Sequence, residues 1–218
     1  MIKPLLEWSK CAEKRNSLSN SVCNISRVDN SLDGDSLRLK HLAIELSKLA
    51  AHPCHEVSLE QYQTEGDIAA RWLTQIDAID GLEGKLILDL GAGNGILGFG
   101  AKLLGAEVIF VECDEKAAAL CRELGETIEG RVGEVELPEV DMVIMNPPWG
   151  RQIPGSDKIF ITEAQRVAPI VHIMHSAGAN HLPKGEIILE GEFRLPAKYQ
   201  HHKSRVVVTP FRCWRIVA

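Results

Sequence analysis

The chain has 218 residues, of which 45% are hydrophobic and 25% charged, and its formal net charge is −6 at pH 7. That is ordinary globular usage, and it excludes wholesale disorder, collagen and coiled coil. No apolar run approaches the ~18 residues of a membrane span. Lys3, Glu7, Lys10, Glu13, Lys14 and Arg15 leave the first stretch without an apolar signal core. The expectation is a soluble cytoplasmic protein that makes no membrane contact.

Cysteines stand at 11, 23, 54, 113, 121 and 213 with no C-x-x-C pair, which favours free thiols over a disulfide framework. His52-Pro53-Cys54-His55 offers too few converging ligands for a metal site and reads as a surface turn. No metal is expected. Charge is uneven along the chain. From Lys184 onward seven Lys/Arg face three Glu, so this end is +4 and the remainder −10. A basic edge of that kind suits local docking of a polyanion. An edge strand guarded by Lys and Arg explains it equally well.

In chain order, residues 1–35 read as an N-terminal extension, flexible because Ser17 to Asp35 is rich in Ser, Asn and Asp and has no apolar period. A single domain is expected over 36–218. Leu39, Leu42, Ala43, Leu46, Leu49 and Ala50 recur at helical spacing, giving a helix from Ser36 that Pro53 ends. A second helix covers Asp67 to Ile76, with Ile68, Ala69, Trp72, Leu73 and Ile76 inward. Leu86 to Leu90 is a short apolar strand. A helix over Ile96 to Leu104, a strand over Glu107 to Val111 and a helix over Glu115 to Leu124 follow. Val140 to Met145 is strand, Lys158 to Val167 helix and Ile170 to Ile173 strand. Glu186 to Leu195 and Ser204 to Val217 alternate well enough to form a closing antiparallel pair. Such strand–helix alternation implies an α/β fold with a mostly parallel sheet and helices on both faces. Ligands bind such sheets at the carboxyl ends of the strands.

Two motifs fall at that edge. Asp89-Leu90-Gly91-Ala92-Gly93-Asn94-Gly95 leaves the first strand and opens a helix, and Glu112 ends the next strand, placed to accept the hydroxyls of a ribose. This combination suits a nucleoside cofactor. A dinucleotide is one candidate, because Gly93 to Gly98 is a literal G-x-G-x-x-G. S-adenosyl-L-methionine is the other, with Asp89 on the side of its ammonium group. Asn146-Pro147-Pro148-Trp149, after the strand ending at Met145, favours the second. The lone pair of an exocyclic amine is conjugated and poorly nucleophilic. Two acceptors, the Asn146 side-chain oxygen and the Pro147 carbonyl, can hold its N–H groups and aim the lone pair at a methyl donor. Pro147 and Pro148 keep that backbone stiff. Trp149 offers a flat face for a base taken out of its helix. A proline turn with a core Trp is the plain alternative.

Asn-Pro-Pro with an aromatic resembles the signature of class I amino-methyltransferases. Leu59-Glu60-Gln61-Tyr62-Gln63-Thr64, Ile68 to Arg71, the glycine loop, Val143 to Gly150 and the tail Leu195 to Lys203 together resemble methyltransferase-like protein 5 and its archaeal relatives. The likeness runs over about residues 37–218. It implies a Rossmann-like fold with a seven-stranded sheet, and N6-methylation of an adenosine in small-subunit ribosomal RNA. It also implies roles for particular residues. Gln61, Tyr62 and Thr64 would close over the cofactor, and Asp89, Gly91 and Gly93 would hold its methionine part. Glu112 would bind the ribose and Glu134 the adenine amino group. Lys198, His202, Lys203 and Arg205 would touch RNA phosphates, and a small zinc-binding activator of the Trm112 type would pair along a sheet edge. This chain departs from the family's pattern in having Trp149 for Phe, Glu for Asp at 112 and 134, and a short stretch from Ser176 to Lys184 in place of a helix. The other readings are glutamine N5-methylation of the release-factor type, a non-catalytic RNA-binding subunit, and a nicotinamide oxidoreductase.

Overall fold

The computed structural model describes residues 32–53, 64–150, 153–195 and 207–217. The chain divides into two compact units, Met1–Asp35 and Ser36–Ala218. The second unit holds the sheet and the cleft.

The chain opens with α1 (Leu32–Ser47), α2 (Gly66–Asp80), β1 (Leu86–Leu90), α3 (Ile96–Leu103), β2 (Glu107–Glu112) and α4 (Glu115–Leu124). It continues with β3 (Glu126–Glu129), β4 (Met142–Met145), α5 (Asp157–Val167), β5 (Ile170–Ser176), β6 (Glu186–Leu195) and β7 (Val207–Val217). The seven strands form one sheet in the order β3-β2-β1-β4-β5-β7-β6. Strands β1 to β5 pair in parallel, and β7 runs antiparallel between β5 and β6. This is the mostly parallel seven-stranded sheet that the sequence resemblance implies. The chain builds outward from β1 to β3, then returns to lay β4 against the other side of β1. That reversal opens a crevice at the carboxyl ends of β1 and β4.

Strand periodicity sorts the core. Ile87, Val108, Phe110, Met142 and Ile144 face one way, against Leu42 and Leu46 of α1, Trp72, Leu73 and Ile76 of α2, and Ile96, Leu97 and Ala101 of α3. Leu88, Leu90, Ile109, Val111, Val143 and Met145 face the other way, against Ile161, Ala164 and Val167 of α5. The two sets alternate along each strand, as the period of two requires. Both faces are therefore covered. No helix occupies the stretch between β5 and β6, and Ala179 and Leu182 pack there against the second cluster.

Several sequence expectations shift. α1 begins at Leu32, inside the stretch read as linker, and stops at Ser47, well before Pro53. The chain leaves the helix through short-range Lys48 N–H to Glu45 and Leu49 N–H to Leu46 bonds, and the Ala50 carbonyl accepts from Asn94 Nδ2 at 2.9 Å. α2 runs on to Asp80 because Gly81 caps it at φ 69°. β3 is the seventh strand that the resemblance implies and that no sequence pattern located; its four residues, Glu126 to Glu129, carry no apolar run and, among the described residues, pair only with β2. α4 has the expected bounds, since the Asp114 carboxylate accepts from the N–H groups of Lys116 and Ala117 and Gly125 follows its end. Cys113, Cys121 and Cys213 are free thiols, and the other three cysteines lie outside the described residues. Among the described residues no helix is long and apolar enough to cross a membrane.

Candidate active site

A cleft of about 320 Å³ opens at the carboxyl ends of the strands. It falls within the usual ~300–1,000 Å³ of small-molecule sites. Four chain segments build it: the glycine loop after β1, the end of β2, the turn after β3, and the stretch from Asn146 to the start of α5. His52 and Thr64, from the stretch between α1 and α2, complete the wall.

The glycine loop takes its shape from residues 91, 93 and 95, with φ of 76°, 58° and 79°, values that side chains rarely adopt. A Cβ on Gly91 would also lie 2.8 Å from the Phe160 ring. The loop is held from both sides. Glu112 Oε2 accepts from Gly93 N–H at 2.7 Å, while its Oε1 accepts from the N–H groups of Cys113 and Asp114 at 2.8 and 2.9 Å. Asp89 Oδ2 accepts from Gly98 N–H at 2.7 Å, inside the first turn of α3. Burial pushes the Asp89 carboxyl up to about 7; the Gly98 hydrogen bond opposes that rise and the charge of Glu112 adds to it.

Asn146 follows β4. Its Nδ2 donates to Thr64 Oγ1 at 3.2 Å, and its Oδ1 accepts from the indole N–H of Trp149 at 3.1 Å. Pro147 is buried, and Pro148 lines the cleft. The Trp149 ring is stacked on His175, with centroids 5.8 Å apart and planes 22° apart, and tilted against Phe193.

The structure thus brings Thr64, Gly91, Gly93, Glu112, Glu134, Asn146 and Pro148 to one cleft wall. Asp89 lies beneath the loop and outside that wall, and Trp149 packs beside Asn146 rather than into the cleft. Gln61, Tyr62, Lys198, His202, Lys203 and Arg205 lie outside the described residues. His52 corrects the surface-turn reading. It is 6% exposed and lines the cleft, and a Cβ on Gly93 would stand 3.3 Å from its ring. Ser156 was also missed. Its Oγ is buried, makes no hydrogen bond among the described residues and belongs to a residue of the cleft wall. A buried hydroxyl of that kind is costly unless something meets it.

No family model matches the chain. It is 31% identical over 202 residues to the rRNA N(6)-adenosine-methyltransferase METTL5 of Danio rerio, covering 78% of this chain and 94% of that one. The chain belongs to the METTL5 family. MJ0284 of Methanocaldococcus jannaschii is 29% identical over 208 residues, covering 83% of this chain and 94% of that protein. The crystal structure of PH1948 from Pyrococcus horikoshii matches with a TM-score of 0.72 at 32% identity, covering 83% and 97% of the two chains.

The residues present fit S-adenosyl-L-methionine, the cofactor that the class I resemblance implies. A carboxylate at the end of β2 suits a ribose, backbone N–H groups at the start of α3 suit a carboxylate, and Ile159 and Phe160 give an apolar wall for an adenine. The Ser156 hydroxyl offers a further polar contact. A dinucleotide is not needed to account for the glycine pattern.

Proposed function

We propose that this chain methylates N6 of an adenosine in small-subunit ribosomal RNA. The observation that carries the reading is the placement of Asn146. It follows β4, at the switch point, on the wall of the cleft that Glu112 and the glycine loop also line. The name of the zebrafish relative, an rRNA N(6)-adenosine-methyltransferase, supports adenosine as the target.

In this reading the cofactor supplies an electrophilic methyl group on a cationic sulfur. The protein's part is positioning. Asn146 Oδ1 and the Pro147 carbonyl accept the N–H groups of the target amine and turn its lone pair out of conjugation. The nitrogen would form one new bond to the methyl carbon as the sulfur–methyl bond breaks, the bonding pair staying on the now neutral sulfur of S-adenosylhomocysteine, and would shed one proton to solvent. No strong base is needed, and alignment and fixed dipoles do most of the work. The base reaches this site flipped from its helix and rests against the exposed part of Trp149. Gln61, Tyr62 and Thr64 close over the cofactor, Asp89, Gly91 and Gly93 hold its methionine end, and Glu134 takes its adenine amine. Lys198, His202, Lys203 and Arg205 grip phosphates, and a Trm112-like protein acts as activator. Residues 36–218 form the methyltransferase domain. The protein acts in the cytoplasm.

The test is nucleoside mass spectrometry on unmodified small-subunit RNA. The RNA is incubated with the cofactor and the full chain, with and without a Trm112-like protein. We expect N6-methyladenosine from the wild type and at least a hundredfold less from Asn146→Ala, with cofactor affinity within threefold. Wild-type protein that binds cofactor yet leaves the RNA unmodified under both conditions would reject the reading in favour of a glutamine substrate.

A further inference from the structure

The amide of Asn146 is fixed at both ends, by Thr64 and by Trp149. An indole nitrogen only donates. The 3.1 Å contact therefore assigns the oxygen end of the amide to the Trp149 side. One lone pair of that oxygen is committed to the indole, and one remains for a substrate N–H.

Trp149 is itself braced. Its ring stacks on His175 and meets Phe193, which packs on Phe211 with centroids 4.7 Å apart. His175 Nε2 lies 3.1 Å from Asp157 Oδ2, and His181 Nε2 meets the same oxygen. Asp157 and His175 are almost fully buried, and His181 is 41% exposed. Burial raises the Asp157 carboxyl, but the His181 hydrogen bond and the two imidazoles outweigh it and hold the group below the usual carboxylate range. It is an ionised acceptor at neutral pH.

The donor atoms of Asp157, His175 and His181 lie within 4.8 Å of one another, close enough to suggest a metal. The hydrogen bonds argue for a different role. His175 Nδ1 accepts from the Ser176 N–H at 2.9 Å, which places the ring proton on Nε2, facing Asp157. A protonated Nε2 has no lone pair for a metal. The trio is a clamp that holds the His175 ring, and the His175 ring backs the indole.

We propose that Trp149 is a positioning residue whose indole N–H holds Asn146 Oδ1 in the orientation that receives the substrate amine, with the Asp157–His175–His181 clamp fixing the indole. This deepens the methyl-transfer reading and rests on it. A stacking surface needs only a flat ring, which Phe also supplies. A latch needs the N–H.

Trp149→Phe separates the two roles while keeping an aromatic ring in place. In the full chain, with its activator where one is required, kcat should fall about three- to tenfold, the scale of one lost hydrogen bond. KM for RNA should stay within twofold. An unchanged kcat, or a raised KM at unchanged kcat, would overturn the latch. A second measurement does not depend on turnover. In 15N-labelled wild-type protein without ligand, the indole resonance that Trp149→Phe removes should be protected from exchange. It should shift in Asn146→Ala and broaden or shift in Asp157→Asn. A resonance indifferent to Asn146→Ala would overturn the proposal even if RNA is methylated. Failure of the wild type to methylate RNA would sink the reading of function while this resonance still reports on the contact. A stoichiometric transition metal retained through purification and released by Asp157→Asn would overturn the clamp.

Discussion

Glu112 holds the backbone N–H of Gly93 at 2.7 Å, so a side chain at the end of β2 ties down the glycine loop that leaves β1. The same carboxylate accepts from Cys113 and Asp114. The extra methylene of Glu relative to Asp has a use here, since the carboxylate spans two separate backbone segments. It shapes the cleft as well as lining it.

Replacing Glu112 by Gln should therefore hurt twice. The amide has one acceptor oxygen for backbone donors on two sides, so one N–H is left facing an NH2 group. Hydrogen bonds to charged groups contribute about 1.5–3 kcal/mol. We expect cofactor affinity to fall at least tenfold and the melting temperature to fall by several degrees. Calorimetric titration with S-adenosylhomocysteine and a thermal melt would read both. Weaker binding at an unchanged melting temperature would reduce Glu112 to a ligand contact.

Asp89 should make the stability of the free protein pH-dependent. Its carboxyl is raised to about 7 in the folded chain, mainly by burial. An acid raised on folding binds its proton more tightly in the native state than in the unfolded chain. Its stabilising contribution is complete below about pH 4, the ordinary Asp value, and is lost as pH climbs to about 7. A tenfold difference in proton affinity between the two states corresponds to about 1.4 kcal/mol. Asp89→Asn keeps an oxygen for the Gly98 N–H and removes the titration. Without cofactor it should match the wild type near pH 4 and exceed it at pH 8. Its affinity for the cationic cofactor should drop at pH 8. Urea denaturation across pH 4–8 checks the first half; identical pH slopes in the two proteins would show that Asp89 ionises at its ordinary value.

The elements and motifs that could be read from sequence are those whose causes are local. α4 carries its own cap in Asp114 and its own stop in Gly125. β1, β2 and β4 are apolar runs, and the loop Asp89 to Gly95 and Asn146 to Trp149 are contiguous words. What escaped reading is tertiary. β3 has no apolar run, and it exists because β2 offers it an edge. His52 meets the glycine loop only because α1 ends early and delivers the Ala50 carbonyl to Asn94. Ser156 is a cleft residue because the chain reaches α5 along the cleft wall. The Trp149 indole, read as a surface for a base, turns out to hydrogen-bond Asn146 three residues back. In each case the partner lies in another element or depends on how a loop folds.

Gly91 is a strict test of the loop. Ala in its place would meet both a φ of 76° and the Phe160 ring at 2.8 Å. Phe160 itself lines the cleft, so a ring displaced by the new methyl would disturb the cofactor wall. We expect Gly91→Ala to fold and to bind cofactor at least tenfold more weakly, as read by the same titration. Because Phe160 also lines the cleft, the double variant is compared with Phe160→Ala alone: Gly91→Ala should cost less affinity in that background than in the wild type. An equal cost of Gly91→Ala in both backgrounds would assign the whole defect to backbone strain.

The far end of the sheet rests on a buried ionic contact. Asp80, at the end of α2, accepts from Arg215 Nε at 2.8 Å and Nη2 at 2.5 Å, and lies 2.9 Å from His172 Nε2. Asp80 and His172 are almost fully buried, while the Arg215 side chain is 24% exposed. Burial drives the His172 imidazole down to about 4 despite Asp80, so the ring is neutral in the folded protein. Asp80→Ala leaves both partners unanswered on β5 and β7. Fully buried pairs cost about 3–5 kcal/mol when broken. Partial exposure of Arg215 lowers the expectation to about 2–3 kcal/mol, measured by urea denaturation at pH 7.5. Methyl transfer per folded molecule should persist at low temperature, because this contact is outside the cleft. A histidine lowered on folding also costs stability as pH falls through its unfolded value, ordinarily about 6.5, toward 4. His172→Gln should therefore soften acid unfolding between pH 6.5 and 4 while leaving stability at pH 8 nearly unchanged. An unaltered acid transition in that variant would locate the acid sensitivity elsewhere in the fold.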